Sequence, residues 1–93
     1  MRYSAITDAP GPDVIARAVE VFGPAGHGLR VTERDLLNVR LEHTLGHVAV
    51  QVARTSNART EVEIETREFD LEVRAFIDAL PRYSALRRWF RRR

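Results

Sequence analysis

Apolar and polar positions change rhythm twice along this chain, and the changes divide it into elements. Arg2-Tyr3-Ser4-Ala5-Ile6-Thr7 is a short β-prone run closed by Asp8-Ala9-Pro10-Gly11-Pro12. Ile15, Ala18, Val19 and Phe22 then recur at helical spacing, with Arg17 and Glu20 on the opposite side. Pro12 suits the first position of that helix, where its missing N–H costs nothing, and Asp13 suits the dipole of the first turn. Gly23-Pro24-Ala25-Gly26-His27-Gly28 stops it.

The rhythm next becomes two. Leu29 and Val31 alternate with Arg30 and Thr32; Leu37, Val39 and Leu41 with Asn38, Arg40 and Glu42. Val48, Val50 and Val52 alternate with Ala49, Gln51 and Ala53, and Val62 and Ile64 with Glu61, Glu63 and Glu65. One branched apolar face per run predicts half-buried antiparallel strands. Glu33-Arg34-Asp35, His43-Thr44-Leu45-Gly46 and Thr55-Ser56-Asn57-Ala58 are the expected hairpin turns. The helical rhythm then returns in Phe69, Val73, Phe76, Ile77 and Leu80, with Thr66 the expected N-cap, Glu68 in the first turn and Pro81 as breaker. Tyr83, Leu86 and Phe90 allow a short amphipathic helix after Pro81.

This predicts an α+β fold, β-α-β-β-β-β-α, with a curved antiparallel five-stranded sheet and two helices on its apolar face. One domain spans 1–80, and 81–93 form a basic, aromatic tail. The element order resembles the TATA-binding-protein-like fold, shared in larger form by helix-grip ligand-binding domains. The runs Gly46-His47-Val48-Ala49-Val50-Gln51-Val52 and Glu63-Ile64-Glu65-Thr66-Arg67-Glu68-Phe69-Asp70 resemble those of small uncharacterised bacterial proteins from GC-rich genomes, a resemblance that implies no activity.

Composition sharpens the picture. The 93 residues are 44% hydrophobic and 30% charged, as in a globular protein. Without cysteine there are no disulfides and no thiolate chemistry. No apolar run approaches the roughly 18 residues of a membrane span, and no secretory leader is evident, so the expected location is the cytoplasm. All 15 basic residues are arginine, the usage of a GC-rich genome. The net charge of +2 is a sum of unlike parts. Residues 1–80 hold nine arginines and 13 acids, or −4; residues 81–93 hold Arg82, Arg87, Arg88, Arg91, Arg92 and Arg93 and no acid, or +6.

Candidate chemistry is sparse. His43 and His47 are four apart but bracket a turn, with no third metal ligand evident, and His27 is expected to be solvated in its loop. The glycine-rich segment 23–28 follows a helix and lacks the lysine of a phosphate loop. Ser4, Ser56 and Ser84 share no nucleophile context. Glu61, Glu63 and Glu65 share one strand face about 6–7 Å apart, without the opposed placement of a glycosidase pair, and arginines such as Arg2 or Arg40 are their expected cross-strand partners. No enzyme activity and no cofactor are implied.

Two features remain. Ala49, Gln51 and Ala53 form a strip of small side chains on the polar side of a central strand, open to a ligand, a second subunit or the chain's own tail. Arg87-Arg88-Trp89-Phe90-Arg91-Arg92-Arg93 combines cations with aromatics, as suits an acidic protein surface, nucleic acid or an anionic membrane surface. The expected function is a non-enzymatic binding or assembly module, self-associating as a dimer or holding a protein partner. It would use the face of Ala49, Gln51, Ala53, Glu61, Glu63 and Glu65 together with the tail. The alternatives are nucleic-acid binding by the tail and a small apolar-ligand carrier. The open face suits DNA poorly, because its three glutamates repel phosphate.

Overall fold

The computed structural model describes residues 1–81. The elements follow in the expected order: β1 (Arg2–Thr7), α1 (Gly11–Phe22), β2 (Arg30–Arg34), β3 (Asn38–Glu42), β4 (His47–Arg54), β5 (Thr60–Arg67) and α2 (Asp70–Asp78). The strands form one open, curved antiparallel sheet in the order β1-β5-β4-β3-β2. β1 therefore lies beside β5, from which 52 residues separate it in sequence, and β2 forms the other edge.

Strand alternation decides which side the helices cover. Val39 and Leu41, Val48, Val50 and Val52, and Val62 and Ile64 all point to the inner face and are buried. α1 lies across β4 and β3, burying Val14, Ile15, Ala18 and Phe22. α2 lies over β5 and buries Val73 and Phe76, with Leu80 buried just after it. The two helices meet where the Phe22 and Phe76 rings stand 5.4 Å apart. Leu29 precedes β2 yet is fully buried, so it serves the core from the loop.

Backbone geometry at the ends of elements follows from two glycines. Behind α1, the chain folds back so that His27 N–H donates to Val21 O and Leu29 N–H to Phe22 O, both at 2.9 Å. A Cβ at Gly26 would stand 2.0 Å from the Val21 carbonyl, so only glycine fits. At the β3–β4 turn, a Cβ at Gly46 would stand 2.0 Å from the Arg67 carbonyl.

Several local expectations are corrected. Thr66 does not cap α2. It is the last inward residue of β5, 1% exposed, and its hydroxyl donates to His47 O at 2.8 Å. Phe69 occupies the N-cap without a side-chain bond, and Asp70 and Glu72 take the first turn. Glu68 precedes the helix at φ 76°, turning the chain from sheet to helix. Leu37 lies in the β2–β3 turn and is 49% exposed. That turn is tied by Asp35, whose carboxylate accepts N–H bonds from Leu37 and Asn38 at 2.9 and 2.8 Å. His27 is exposed as expected, yet its ring stands 5.9 Å from that of Phe22.

Phe22 is 0% exposed at the junction of both helices and the sheet. Phe22→Ala is expected to cost about 3–5 kcal/mol in urea unfolding, because the rigid sheet below cannot collapse into the gap.

Candidate functional site

Among the described residues no helix lies on the outer face of the sheet, and strand register arranges that face in rows. One row reads Arg2, Glu65, Ala49, Arg40 and Glu33 from edge to edge. The next reads Ser4, Glu63, Gln51 and Asn38, and the third Ile6, Glu61 and Ala53. A fourth, at the other end, holds Arg67, His47, Glu42 and Arg30. Ala49, Gln51, Ala53, Glu61, Glu63 and Glu65 thus occupy one surface, and all but the half-buried Ala49 are exposed.

A depression of about 450 Å³ opens on this surface, bounded by Arg2, Ser4, Arg40, Gln51, Glu63 and Glu65, with Ala49 in its floor. It exists because β4 contributes small side chains between the longer ones of β5 and β3. Arg2 was expected beside the glutamates of this face, whereas Ser4 and Asn38 were missed from sequence. The parity of β1 could have found Ser4, because Arg2, Ser4 and Ile6 alternate with Thr7, which is buried.

The charges are unevenly matched. Arg40 Nε donates to Glu42 Oε2 at 2.8 Å along its own strand, rather than to the β5 glutamates. That bond, and then the nearby charge, hold Glu42 below the usual carboxylate range, and the same bond raises Arg40. Arg2 stands opposite Glu65 in register. Glu61 and Glu63 instead lie between neutral neighbours, Ile6 and Ala53 for one, Ser4 and Gln51 for the other. The expected arginine partners therefore reach one end of the glutamate row and not the other.

The last described residue, Pro81, lies at that less-compensated end. The Pro81 carbonyl accepts a hydrogen bond from Asp8 N–H at 3.2 Å and another from the Thr7 hydroxyl. Thr7 follows Ile6 on β1, so residue 81 is held beside the row containing Glu61. Arg87, Arg88, Trp89, Phe90, Arg91, Arg92 and Arg93, and the short helix expected there, lie outside the described residues.

Other polar groups tie elements of the fold together. Tyr3 OH donates to Asp70 Oδ1 at 2.9 Å and joins β1 to α2; burial and then the Asp70 carboxylate raise the phenol above its ordinary pKa. Arg59 Nε lies 3.1 Å from Asp8 Oδ1. His43 Nδ1 accepts the Leu45 N–H at 3.1 Å, so that nitrogen is used by its own turn. Among the described residues no group of three or more histidine or acidic side chains could hold a metal ion. No described helix is long and apolar enough to cross a membrane. No protein-family model matches the chain, and no curated protein matches it significantly.

Asp35 and Glu42 both sit below their ordinary pKa, Asp35 first through the Leu37 amide. A depressed carboxylate stabilises above its unfolded value of about 4 and loses that contribution as pH falls through the lower folded value. The double variant Asp35→Asn, Glu42→Gln should therefore lower the thermal midpoint at about pH 7 and lose less on acidification to about pH 3 than the parent does. Thermal melts across that range, followed by circular dichroism, check the sign.

Proposed function

We propose that the protein is a small non-enzymatic binding or assembly module that self-associates through the open face of its sheet, aided by segment 82–93, in the bacterial cytoplasm. The observation that carries this reading is the pairing of two complementary features at one end of the sheet. Glu61 and Glu63 stand there among neutral neighbours. Pro81, held at that same end, is followed in sequence by a segment bearing six arginines and no acid. Trp89 and Phe90 are apolar side chains of a kind suited to the shallow floor at Ala49. The chemistry required is charge pairing and exclusion of water, with no reacting group. The other surface of the sheet is unsuited to a carrier role. Ile15, Ala18, Phe22 and Phe76 fill the space under the helices, each at most 3% exposed.

A second reading is nucleic-acid contact through Arg87, Arg88, Arg91, Arg92 and Arg93, favoured by the segregation of charge into −4 and +6. It differs in what the sheet does: phosphates need the arginines alone, whereas self-association needs Glu61 and Glu63 as well.

Sedimentation of the double variant Glu61→Lys, Glu63→Lys separates the two. Under self-association its dissociation constant rises at least about tenfold, and the parent's affinity weakens as salt is raised from about 0.05 to about 0.5 M. Under the nucleic-acid reading the same substitutions leave self-association unchanged and strengthen binding to single-stranded DNA. A parent chain that stays monomeric at every concentration would sink the assembly reading.

A further inference from the structure

The two edges of the sheet are finished differently. β2 carries Arg30, Glu33 and Arg34 and breaks register between Val31 and Glu33. Charges and an irregular ladder are the devices by which an edge strand refuses a new neighbour. β1 has neither device. Its register with β5 is unbroken from Arg2 to Thr7, its centre is Ser4-Ala5-Ile6, and its one charge is Arg2.

The hydrogen-bond parity of β1 identifies which groups face outward. Met1 and Thr66 exchange both bonds, N–H to carbonyl, at 2.9 Å each way. Bonded and non-bonded pairs alternate along an antiparallel ladder. Tyr3, Ala5 and Thr7 therefore bond to β5, while the N–H and C=O groups of Arg2, Ser4 and Ile6 point away from it. Asp8 confirms the phase, because its N–H points to the free side and meets the Pro81 carbonyl there. Pro81 thus marks one end of the edge. Among the described residues, no strand lies along the rest of it.

We infer that β1 pairs antiparallel with β1 of a second copy, joining two sheets into one of ten strands. A two-fold axis through Ser4 opposes Ser4 to its own counterpart and Arg2 to Ile6 of the second copy. All three outward-facing residues then meet outward-facing residues, giving six main-chain hydrogen bonds with no like charges opposed. The axis keeps both outer faces on one side. On the other it sets the two α2 helices, each over its own β5, three strand spacings or about 14 Å apart, so they do not obstruct the join. α2 is tied to β1 by the Tyr3–Asp70 bond, which anchors the strand from the helix side and leaves its outward main-chain groups clear. This rests on the reading that the chain self-associates, and adds to the open face a distinct contact at the β1 edge.

The test uses the full chain. Ser4→Pro deletes the central outward N–H without touching a β5 bond, as a proline on an edge strand can. Ile6→Lys places a charge on the same edge and leaves the backbone intact. Both should remain folded by circular dichroism and raise the dimer dissociation constant at least about tenfold in sedimentation. In the parent, the Arg2, Ser4 and Ile6 amides should become slower to exchange with deuterium as concentration rises. A dimer unaffected by either folded variant overturns the edge pairing while leaving association through the open face standing. A parent that is monomeric, with these amides protected at every concentration, overturns it in favour of cover by the chain's own segment 82–93. A monomer with unprotected amides overturns both readings.

Discussion

The structure depends on the alternation of β5. Thr60, Val62, Ile64 and Thr66 are at most 8% exposed, and Glu61, Glu63 and Glu65 between them are exposed. β5 is the strand that holds β1 to the rest of the sheet, so its parity sets that of both neighbours. A slip of one residue would drive three carboxylates under the helices and expose the branched core. The cost of burying those charges makes the register of the sheet nearly unique.

The same alternation leaves the fold one-sided. Two short helices supply enough apolar surface to cover one face of five strands, and both belong to the side where Val50 and Ile64 point. The face that no described helix covers carries most of the charged positions of the strands, and its character comes from strand order. Small residues of β4 fall between glutamates on one side and Arg40 on the other, which makes a shallow floor with charged walls. Edges follow the same logic. β2 is guarded by its charges and its irregular register, whereas β1 is a regular strand whose outward main-chain groups are concentrated at Arg2, Ser4 and Ile6.

Much of this was legible in the chain as written. Element order, fold class and the shared face of Ala49, Gln51, Ala53, Glu61, Glu63 and Glu65 follow from period two and period 3.6, because local periodicity is a property of neighbouring residues. Thr66 was misread as a helix cap because hydroxyl caps and inward strand threonines look alike in sequence. Only the partner, His47 O, distinguishes them. Leu37 was misplaced because its alternation with Val39 continues past the point where Asp35 closes the turn. Arg40 was paired with the β5 glutamates, although Glu42, two residues along the same strand face, is nearer.

The sequence alone therefore settled which residues face the core and which face water along most of β3, β4, β5 and the two helices, since that depends on repeat distance. Tertiary structure decided what stands beside what. The placement of β1 next to β5 puts Arg2 opposite Glu65 and leaves Glu61 and Glu63 among neutral neighbours. The return of the chain to Asp8 brings Pro81 to the edge of β1. Both are contacts across more than 50 residues, closed by the burial of a common core, and no local pattern of side chains encodes them.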